Sequence, residues 1–149
     1  MRIMALDVGT KRIGVALTDP LGMLAQPYTT VNRTDDKGTA EVIVDLLQEK
    51  NVVELVVGLP RRTDGSEGPE VQQVRKFVDC ITEKWPGPVV WYDERLTTAG
   101  AEQVLVAADV SRAKRKKVVD QLAASLILQG YLEYKRFEAG KTSFSENEE

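Results

Sequence analysis

The alternation of apolar and polar residues divides the first part of the chain into three short strands. Arg2 to Leu6, Ile13 to Thr18 and Gln26 to Val31 each read as a strand bounded by turn residues. A hairpin with Lys11 and Arg12 at its tip joins the first two strands. The chain is therefore predicted to open with three antiparallel strands.

After these strands the apolar residues recur at helical spacing, interrupted by short buried runs. Helices are predicted from Ala40 to about Lys50, from Pro69 to Ile81, from Thr97 or Thr98 to Ala108 and from Val118 to Leu132, with strands at Glu54–Leu59 and Val89–Tyr92. A basic loop is predicted before the last helix. Strand–helix–strand units require parallel pairing. The predicted fold class is therefore α/β: a mixed five-stranded sheet, three antiparallel strands followed by parallel strands, flanked by helices.

The length of the chain, 149 residues, suits one domain over residues 1–137 with an acidic, flexible tail over residues 138–149. The tail contains four Glu and one Lys, so the remainder is neutral although the whole chain has a net charge of −3. The start resembles no signal peptide, and no run approaches the ~18–20 apolar residues of a membrane span. We therefore expect a cytoplasmic protein.

The absence of histidine, together with a single cysteine, Cys80, excludes several kinds of chemistry. No imidazole is available for a Ser-His-Asp or Cys-His nucleophile system. A zinc site of the usual His/Cys type and an internal disulfide are excluded within one chain. Catalysis would have to rest on carboxylates, lysine, hydroxyls, backbone amides or a hard metal ion. Cys80 itself is interpreted as inert packing.

Three acidic residues stand at the ends of predicted elements. Asp7 follows the first strand, Glu94 follows the last strand with Asp93 beside it, and Asp120 lies early in the last helix. Carboxylates gathered at the ligand-binding edge of a sheet would repel one another unless a cation lay between them. Oxygen ligands favour Mg²⁺ or Mn²⁺. Each acid also has an ordinary structural interpretation, as a turn residue, a surface ion pair or a partner of the helix dipole.

Basic residues form the second group of candidates, as contacts for the phosphates of a nucleic acid. They lie at the hairpin tip, in the glycine-rich loop after the fourth strand, next to Glu94 and before the last helix: Lys11, Arg12, Arg61, Arg62, Arg95, Arg112, Lys114, Arg115, Lys116 and Lys117. The alternative is an ordinary solvated surface and a flexible connection. Trp91 and Tyr92 are interpreted as core residues rather than as platforms for bases.

Several motifs together resemble one family. They are the run Asp7–Ala16 with Asp19, the segments Gly58–Pro60 and Asp64–Gly68, the run Asp93–Thr98, and Asp120 ahead of Ala123, Ala124, Ile127 and Leu128. This set is similar to the YqgF/RuvX family, which has a ribonuclease-H-like fold and is related to the RuvC resolvases. The resemblance extends from about Arg2 to Leu132. In the glycine loop, Arg62 stands where many relatives have Asn.

The resemblance implies a metal-dependent endonuclease. Members of the family are described as candidate nucleases that process the 5′ end of pre-16S rRNA, which is a step in ribosome biogenesis. They are also described as candidate Holliday junction resolvases. It implies that Asp7, Glu94 and Asp120 are the catalytic acids and hold two Mg²⁺ or Mn²⁺ ions. Asp93 stays open as an alternative to Glu94.

Other functions stay open on sequence alone. A protein with this fold could bind rRNA as a non-catalytic assembly factor. The Asp-x-Gly-Thr hairpin also resembles the phosphate loop of actin-like ATPases, although those proteins close two such domains around a nucleotide. The sequence favours a nucleic-acid partner without deciding between precursor rRNA and branched DNA, or between a monomer and a homodimer.

Overall fold

The strands and helices follow the predicted order, and most extend beyond their predicted ends. A computed structural model describes residues 1–60, 64–93 and 112–147, with the side chains of all of these except 112–117 and 141–147. The elements are β1 (Arg2–Val8), β2 (Arg12–Thr18), β3 (Ala25–Asn32), α1 (Asp36–Glu49), β4 (Val52–Leu59), α2 (Pro69–Thr82), β5 (Val89–Asp93) and α3 (Arg112–Asn147). The helix predicted from Thr97 or Thr98 to Ala108 lies outside the described residues.

The five strands form one mixed sheet in the order β3-β2-β1-β4-β5. β1 pairs antiparallel with β2 and parallel with β4, β2 pairs antiparallel with β3, and β4 pairs parallel with β5. The predicted fold class is confirmed. β1 is the central strand, with two strands on each side, so residues at its end lie in the middle of the sheet.

The two faces of the sheet bury separate apolar cores. On β1, Met4 and Leu6 belong to the core beneath α1 and α2, whereas Ile3 and Ala5 belong to the core beneath α3. This alternation follows from the two-residue period of a strand. Asp7 therefore lies on the same face as Ile3 and Ala5, the face that α3 covers.

α3 is held along the sheet by an apolar stripe and by a polar cluster. Ile127 and Leu128 are fully buried in the core beneath the helix. Farther along, the Tyr131 hydroxyl donates a hydrogen bond to Glu54 on β4, and Lys135 Nζ lies 3.1 Å from the other Glu54 oxygen. Burial and the Glu54 carboxylate raise the pKa of the Tyr131 hydroxyl, so it stays protonated and able to donate at neutral pH.

Two predicted boundaries near the candidate site are wrong. β1 continues through Val8, so Asp7 lies within the strand rather than after it. α3 begins at Arg112, so residues 112–117 have helical backbone where the sequence predicted a basic loop. Because Lys and Arg are good helix formers, a polar first turn needs no apolar period to be helical.

The far end of α3 also differs from the prediction. The helix continues to Asn147, past its predicted end at Leu132. The division into a domain over 1–137 and a flexible tail over 138–149 stays a prediction. Within residues 1–60, 64–93 and 112–147, no helix combines the length and the apolar character that crossing a bilayer requires.

Candidate active site

Asp7 lies between two glycines on neighbouring strands. Its antiparallel partner on β2 is Gly14. On the other side, Gly58 follows Val57, which is the parallel partner of Leu6 on β4. Because glycine has no side chain, neither adjacent strand places a side chain beside Asp7 on the α3 face. The residues directly across from Asp7 on the two neighbouring strands therefore add no side-chain bulk next to it.

Gly14 also brings α3 close to Asp7. A Cβ atom built on Gly14 would overlap the main-chain oxygen and the carbonyl carbon of Asp120. Real Cβ atoms do not approach backbone so closely, so only glycine permits this contact. Since Gly14 is the cross-strand partner of Asp7, it brings together two of the three predicted acids, from positions far apart in the chain.

Asp120 is paired with a basic residue of the hairpin. Arg12 Nε lies 2.8 Å from Asp120 Oδ2, and the two side chains are 27% and 20% exposed. Asp120 stands in the third turn of α3, whereas the helix dipole acts mainly within the first turn. Its position is therefore explained by the contact with β2 rather than by the dipole.

The turn between β1 and β2 is fixed by hydrogen bonds from an arginine on the next segment. Gly9 N donates to Arg12 O at 2.9 Å, which closes the turn. Arg33 Nη1 donates to Gly9 O at 2.9 Å, and Arg33 N donates to Lys11 O at 2.9 Å. Both sides of the turn are thus attached to Arg33, and Lys11 is exposed at the tip, as predicted.

Arg33 is a residue that the sequence reasoning missed. Its side chain is only 11% exposed, pairs with Asp36 at 3.2 Å, and lies over the Phe77 ring at 5.3 Å. These contacts join the turn to α1 and α2 at once. No motif or spacing marks Arg33, because its partners come from three separate segments; the only available signal was an arginine in a short polar run before a helix.

Asp93 and Glu94 are the alternatives for the acid that accompanies Asp7, and the face of β5 on which Asp93 lies helps to distinguish them. On β5, Trp91 packs against the core beneath α1 and α2, whereas Tyr92 packs against the core beneath α3. By strand alternation, Asp93 is on the same face as Trp91 and opposite to Asp7. Glu94 itself lies outside the described residues.

The packing of β5 against α3 depends on a second glycine. A Cβ built on Gly130 would overlap the Tyr92 hydroxyl oxygen, so the Tyr92 side chain occupies the space that a side chain at position 130 would need. Trp91 and Tyr92 are both half-buried in the cores, which agrees with their interpretation as packing residues. Cys80 likewise packs half-buried against the core beneath α1 and α2.

Most of the predicted phosphate contacts are residues whose side chains are not among those that the structure describes. Arg61, Arg62 and Arg95 lie outside the described residues, and the helix that begins at Arg112 is described only as backbone over the basic cluster. That cluster comprises Arg112, Lys114, Arg115, Lys116 and Lys117. Of the predicted set, Lys11 and Arg12 have described side chains, and Arg12 contacts Asp120.

The chemistry of the described donors fits a hard cation. Asp7 and Asp120 offer carboxylate oxygens, the ligands that Mg²⁺ and Mn²⁺ prefer. Gly14 leaves no room for a side chain between the backbone of β2 and the backbone of α3, next to the two acids. The guanidinium of Arg12 contacts Asp120, so this carboxylate already binds a positive charge. No group of three or more metal-binding side chains occurs among residues 1–60, 64–93 and 112–147. Of the three predicted acids, Asp7 and Asp120 belong to these residues and Glu94 does not.

Comparison with known proteins agrees with the predicted family. The model of the family described as "RuvX: Holliday junction resolvase" matches residues 1–134. A Halothermothrix orenii protein named "Putative pre-16S rRNA nuclease" is 50% identical over 134 residues, covering 90% of this chain and 96% of that protein. A Heliobacterium modesticaldum protein of the same name is 46% identical over the full length of both chains, 149 residues.

Solved structures agree on the fold at much lower identity. The fowlpox virus resolvase in complex with Holliday junction DNA matches with a TM-score of 0.57 at 13% identity, covering 90% of this chain and 98% of the resolvase. RuvC from Thermus thermophilus matches with a TM-score of 0.54 at 14% identity, covering 93% of this chain and 97% of RuvC. The predicted ribonuclease-H-like, resolvase-type fold is confirmed.

Proposed function

This chain belongs to the RuvX family, and we propose that it is a metal-dependent endonuclease that hydrolyses phosphodiester bonds in precursor 16S rRNA. The observation that carries the proposal is the placement of Asp7 and Asp120 on either side of Gly14. Two acidic residues from distant segments thus have their backbones next to the same glycine. The names of relatives that are 46–50% identical over most of the chain support nuclease activity and point to rRNA.

Asp7, Glu94 and Asp120 are the proposed metal ligands and catalytic acids. The pairing of Asp7 with Gly14 and the contact of the Asp120 backbone with the same glycine support two of these roles. Glu94 is preferred over its neighbour because Asp93 lies on the opposite face of the sheet from Asp7. When bound, a pair of Mg²⁺ or Mn²⁺ ions supplies an activated water and stabilises the charge that develops on the leaving oxygen.

The chain's own residues hold the acids in place. Gly14 sets the separation between β2 and α3, and Arg33 fixes the turn that follows Asp7. Because the chain has no histidine, proton removal from water depends on carboxylates and the metal they bind. This division of roles explains how hydrolysis could proceed without an imidazole base.

The basic residues are proposed to hold the phosphates of the nucleic acid. Lys11 is exposed at the hairpin tip, on the turn that follows Asp7. Arg61, Arg62 and Arg95 and the cluster over residues 112–117 are proposed to extend this contact along the backbone of the substrate. Such contacts position a nucleic acid without reading its bases. In the glycine loop, Arg62 has a positive charge where many relatives have the neutral amide of Asn. This charge favours contact with a phosphate.

Branched DNA is the second candidate substrate, because the matching family model is described as a Holliday junction resolvase. The likeness to resolvases of known structure shows the fold alone. The proposed nuclease domain is residues 1–137, which agrees in extent with the match over 1–134. Action on rRNA would place the protein in the cytoplasm and would not require a dimer, whereas a symmetric junction would call for a homodimer.

A cleavage panel distinguishes these possibilities. Purified protein is given precursor 16S rRNA with its 5′ extension, a four-way DNA junction, a linear duplex and single-stranded RNA, each with Mg²⁺, Mn²⁺ or EDTA. We expect cleavage within the precursor extension with either metal and none with EDTA. Preferential cleavage of the junction would replace rRNA by branched DNA as substrate. Metal-independent binding with no cleavage of any substrate would favour the assembly factor.

A further inference from the structure

We propose that Arg12 changes partners when the site binds metal: without metal it neutralises Asp120, and with metal it is released to contact a substrate phosphate. This inference rests on the proposed function, because it requires a cation to bind at Asp7 and Asp120. It assigns to Arg12 a coupling between metal binding and nucleic-acid binding, in addition to the phosphate contact predicted from the sequence.

The contact between Arg12 and Asp120 is suited to exchange. It joins one guanidinium nitrogen, Nε, to one carboxylate oxygen, Oδ2, at 2.8 Å, and both side chains are partly exposed. A paired fork of two hydrogen bonds would be stronger and harder to break. Partly exposed ion pairs are also weakened by water and salt. A divalent cation therefore has an accessible carboxylate for which it can compete with Arg12.

The backbone around Arg12 confines any movement to its side chain. Arg12 O accepts a hydrogen bond from Gly9 N, and Arg12 pairs with Asn32 in the sheet. Arg33 further attaches the turn through Gly9 O and Lys11 O. With the backbone of Arg12 held, an exchange of partners requires only that its long side chain rotates away from Asp120.

Electrostatics make the exchange directional. A metal ion at Asp120 and a guanidinium on the same carboxylate repel each other, so each weakens the binding of the other. A phosphate that arrives with the substrate offers Arg12 a replacement for the lost carboxylate. By linkage, if metal frees Arg12 for phosphate, bound nucleic acid must strengthen metal binding by the same factor.

Metal binding tests the first half of the inference. Mn²⁺ is titrated by calorimetry into the metal-free wild type and into Arg12→Gln, with Lys11→Gln as a control that removes an equal charge from the adjacent position. We expect Arg12→Gln to bind Mn²⁺ about fivefold or more tightly than the wild type. Lys11→Gln should differ from the wild type by less than about twofold, because an exposed charge is screened.

Nucleic-acid binding tests the second half. The affinity for a fluorescent precursor rRNA fragment is measured with EDTA and with Ca²⁺, which replaces Mg²⁺ to limit cleavage. Wild-type affinity should rise with Ca²⁺ and that gain should be lost in Arg12→Gln. Lys11→Gln should lower the affinity by the same factor in both conditions. An Arg12→Gln protein that keeps the full Ca²⁺-dependent gain would overturn the inference.

Two further variants separate this inference from the proposed function. If Asp7→Asn binds Mn²⁺ as well as the wild type, or if neither binds, the proposed metal site is wrong and the inference is overturned with it. If Mn²⁺ binding requires Asp7 but is equal in the wild type and Arg12→Gln, only the role of Arg12 is overturned. Arg12→Lys keeps the charge but lacks Nε, and its Mn²⁺ affinity should fall between those of the wild type and Arg12→Gln. Thermal unfolding confirms that each variant is folded.

Discussion

The main-chain oxygen of Asp120 fills the space that a side chain at Gly14 would occupy. Backbone cannot rotate away as the end of a long side chain can, so this contact ties the register of α3 to β2. Because Gly14 is also the partner of Asp7, one glycine determines how closely the backbones of the two acidic residues approach.

The first prediction concerns this glycine. Gly14→Ala should lower the free energy of unfolding by about 1–3 kcal/mol or more, because the added methyl group would overlap backbone atoms that cannot move aside easily. The cleavage rate should fall by more than the loss of folded protein explains, because a shift of α3 also moves Asp120. Urea denaturation and a cleavage assay on the same preparations measure both effects.

The control for Gly14→Ala is Gly140→Ala on α3, where the added Cβ would meet nothing within 4 Å. Since alanine is the better helix former, Gly140→Ala should raise the free energy of unfolding by up to about 1 kcal/mol. Equal effects of the two substitutions would contradict the importance of the close contact at Gly14.

The second prediction concerns Arg33. Arg33→Lys cannot reproduce the fork that reaches both Gly9 O and Asp36, so the free energy of unfolding should fall by about 1–3 kcal/mol. Cleavage should also fall, because the turn after Asp7 loses its support. Unfolding in urea and single-turnover cleavage provide the measurements.

Arg75→Lys is the control for Arg33→Lys. Arg75 also pairs with an acid, Glu67 at 3.2 Å, and also lies over an aromatic ring, Trp91 at 5.0 Å, but its side chain is 39% exposed. Its replacement should cost less than about 1 kcal/mol. The account of Arg33 would be wrong if the two lysine variants were equally stable.

The third prediction concerns Gly130 and Tyr92. Gly130→Ala should destabilise the protein by about 1–3 kcal/mol, because its methyl group meets the Tyr92 hydroxyl. Adding Tyr92→Phe removes the nearest atom and should recover part of the loss. A double-mutant cycle in urea gives the coupling between the two positions, and strictly additive effects would show that the contact is not limiting.

The fourth prediction is a pH dependence. Asp19 accepts hydrogen bonds from Met23 N and Leu24 N at 2.7 and 3.1 Å, and these bonds lower the pKa of its carboxyl below the ordinary 3.8. A lowered pKa in the folded state gives stability that is present above pH 3.8 and is lost as the pH falls through the lowered value. The stability difference between the wild type and Asp19→Asn should therefore shrink as the pH falls from about 5 to below 3.8. A difference that is constant over this range would contradict the assignment.

The sequence predicts the order and pairing of the strands because apolar periodicity and chain connectivity constrain both. It also identifies Asp7 and Asp120 as candidates, since both stand next to strongly patterned segments. It misplaces the start of α3, where a run of Arg and Lys forms helix without an apolar stripe.

The contacts that organise the site could not be predicted from the sequence. Arg12 resembles any exposed base at a hairpin tip, yet its partner Asp120 lies 108 residues away. Gly14 resembles any glycine in a strand until the path of α3 is known. Arg33 is defined by contacts to three segments. Such relationships depend on tertiary packing, which local patterns do not encode.

The most direct test of the proposed site is single-turnover cleavage of precursor 16S rRNA with Mg²⁺ by the wild type, Asp7→Asn, Asp120→Asn and the double variant. Asp45→Asn, an exposed acid on α1 on the opposite face of the sheet, is the control. Because the two acids act on the same metal, each single variant should lose activity on the order of 10³-fold or more, and the double variant should be little worse than either. All variants should remain folded, and Asp45→Asn should keep full activity. Full cleavage by Asp7→Asn would contradict the account.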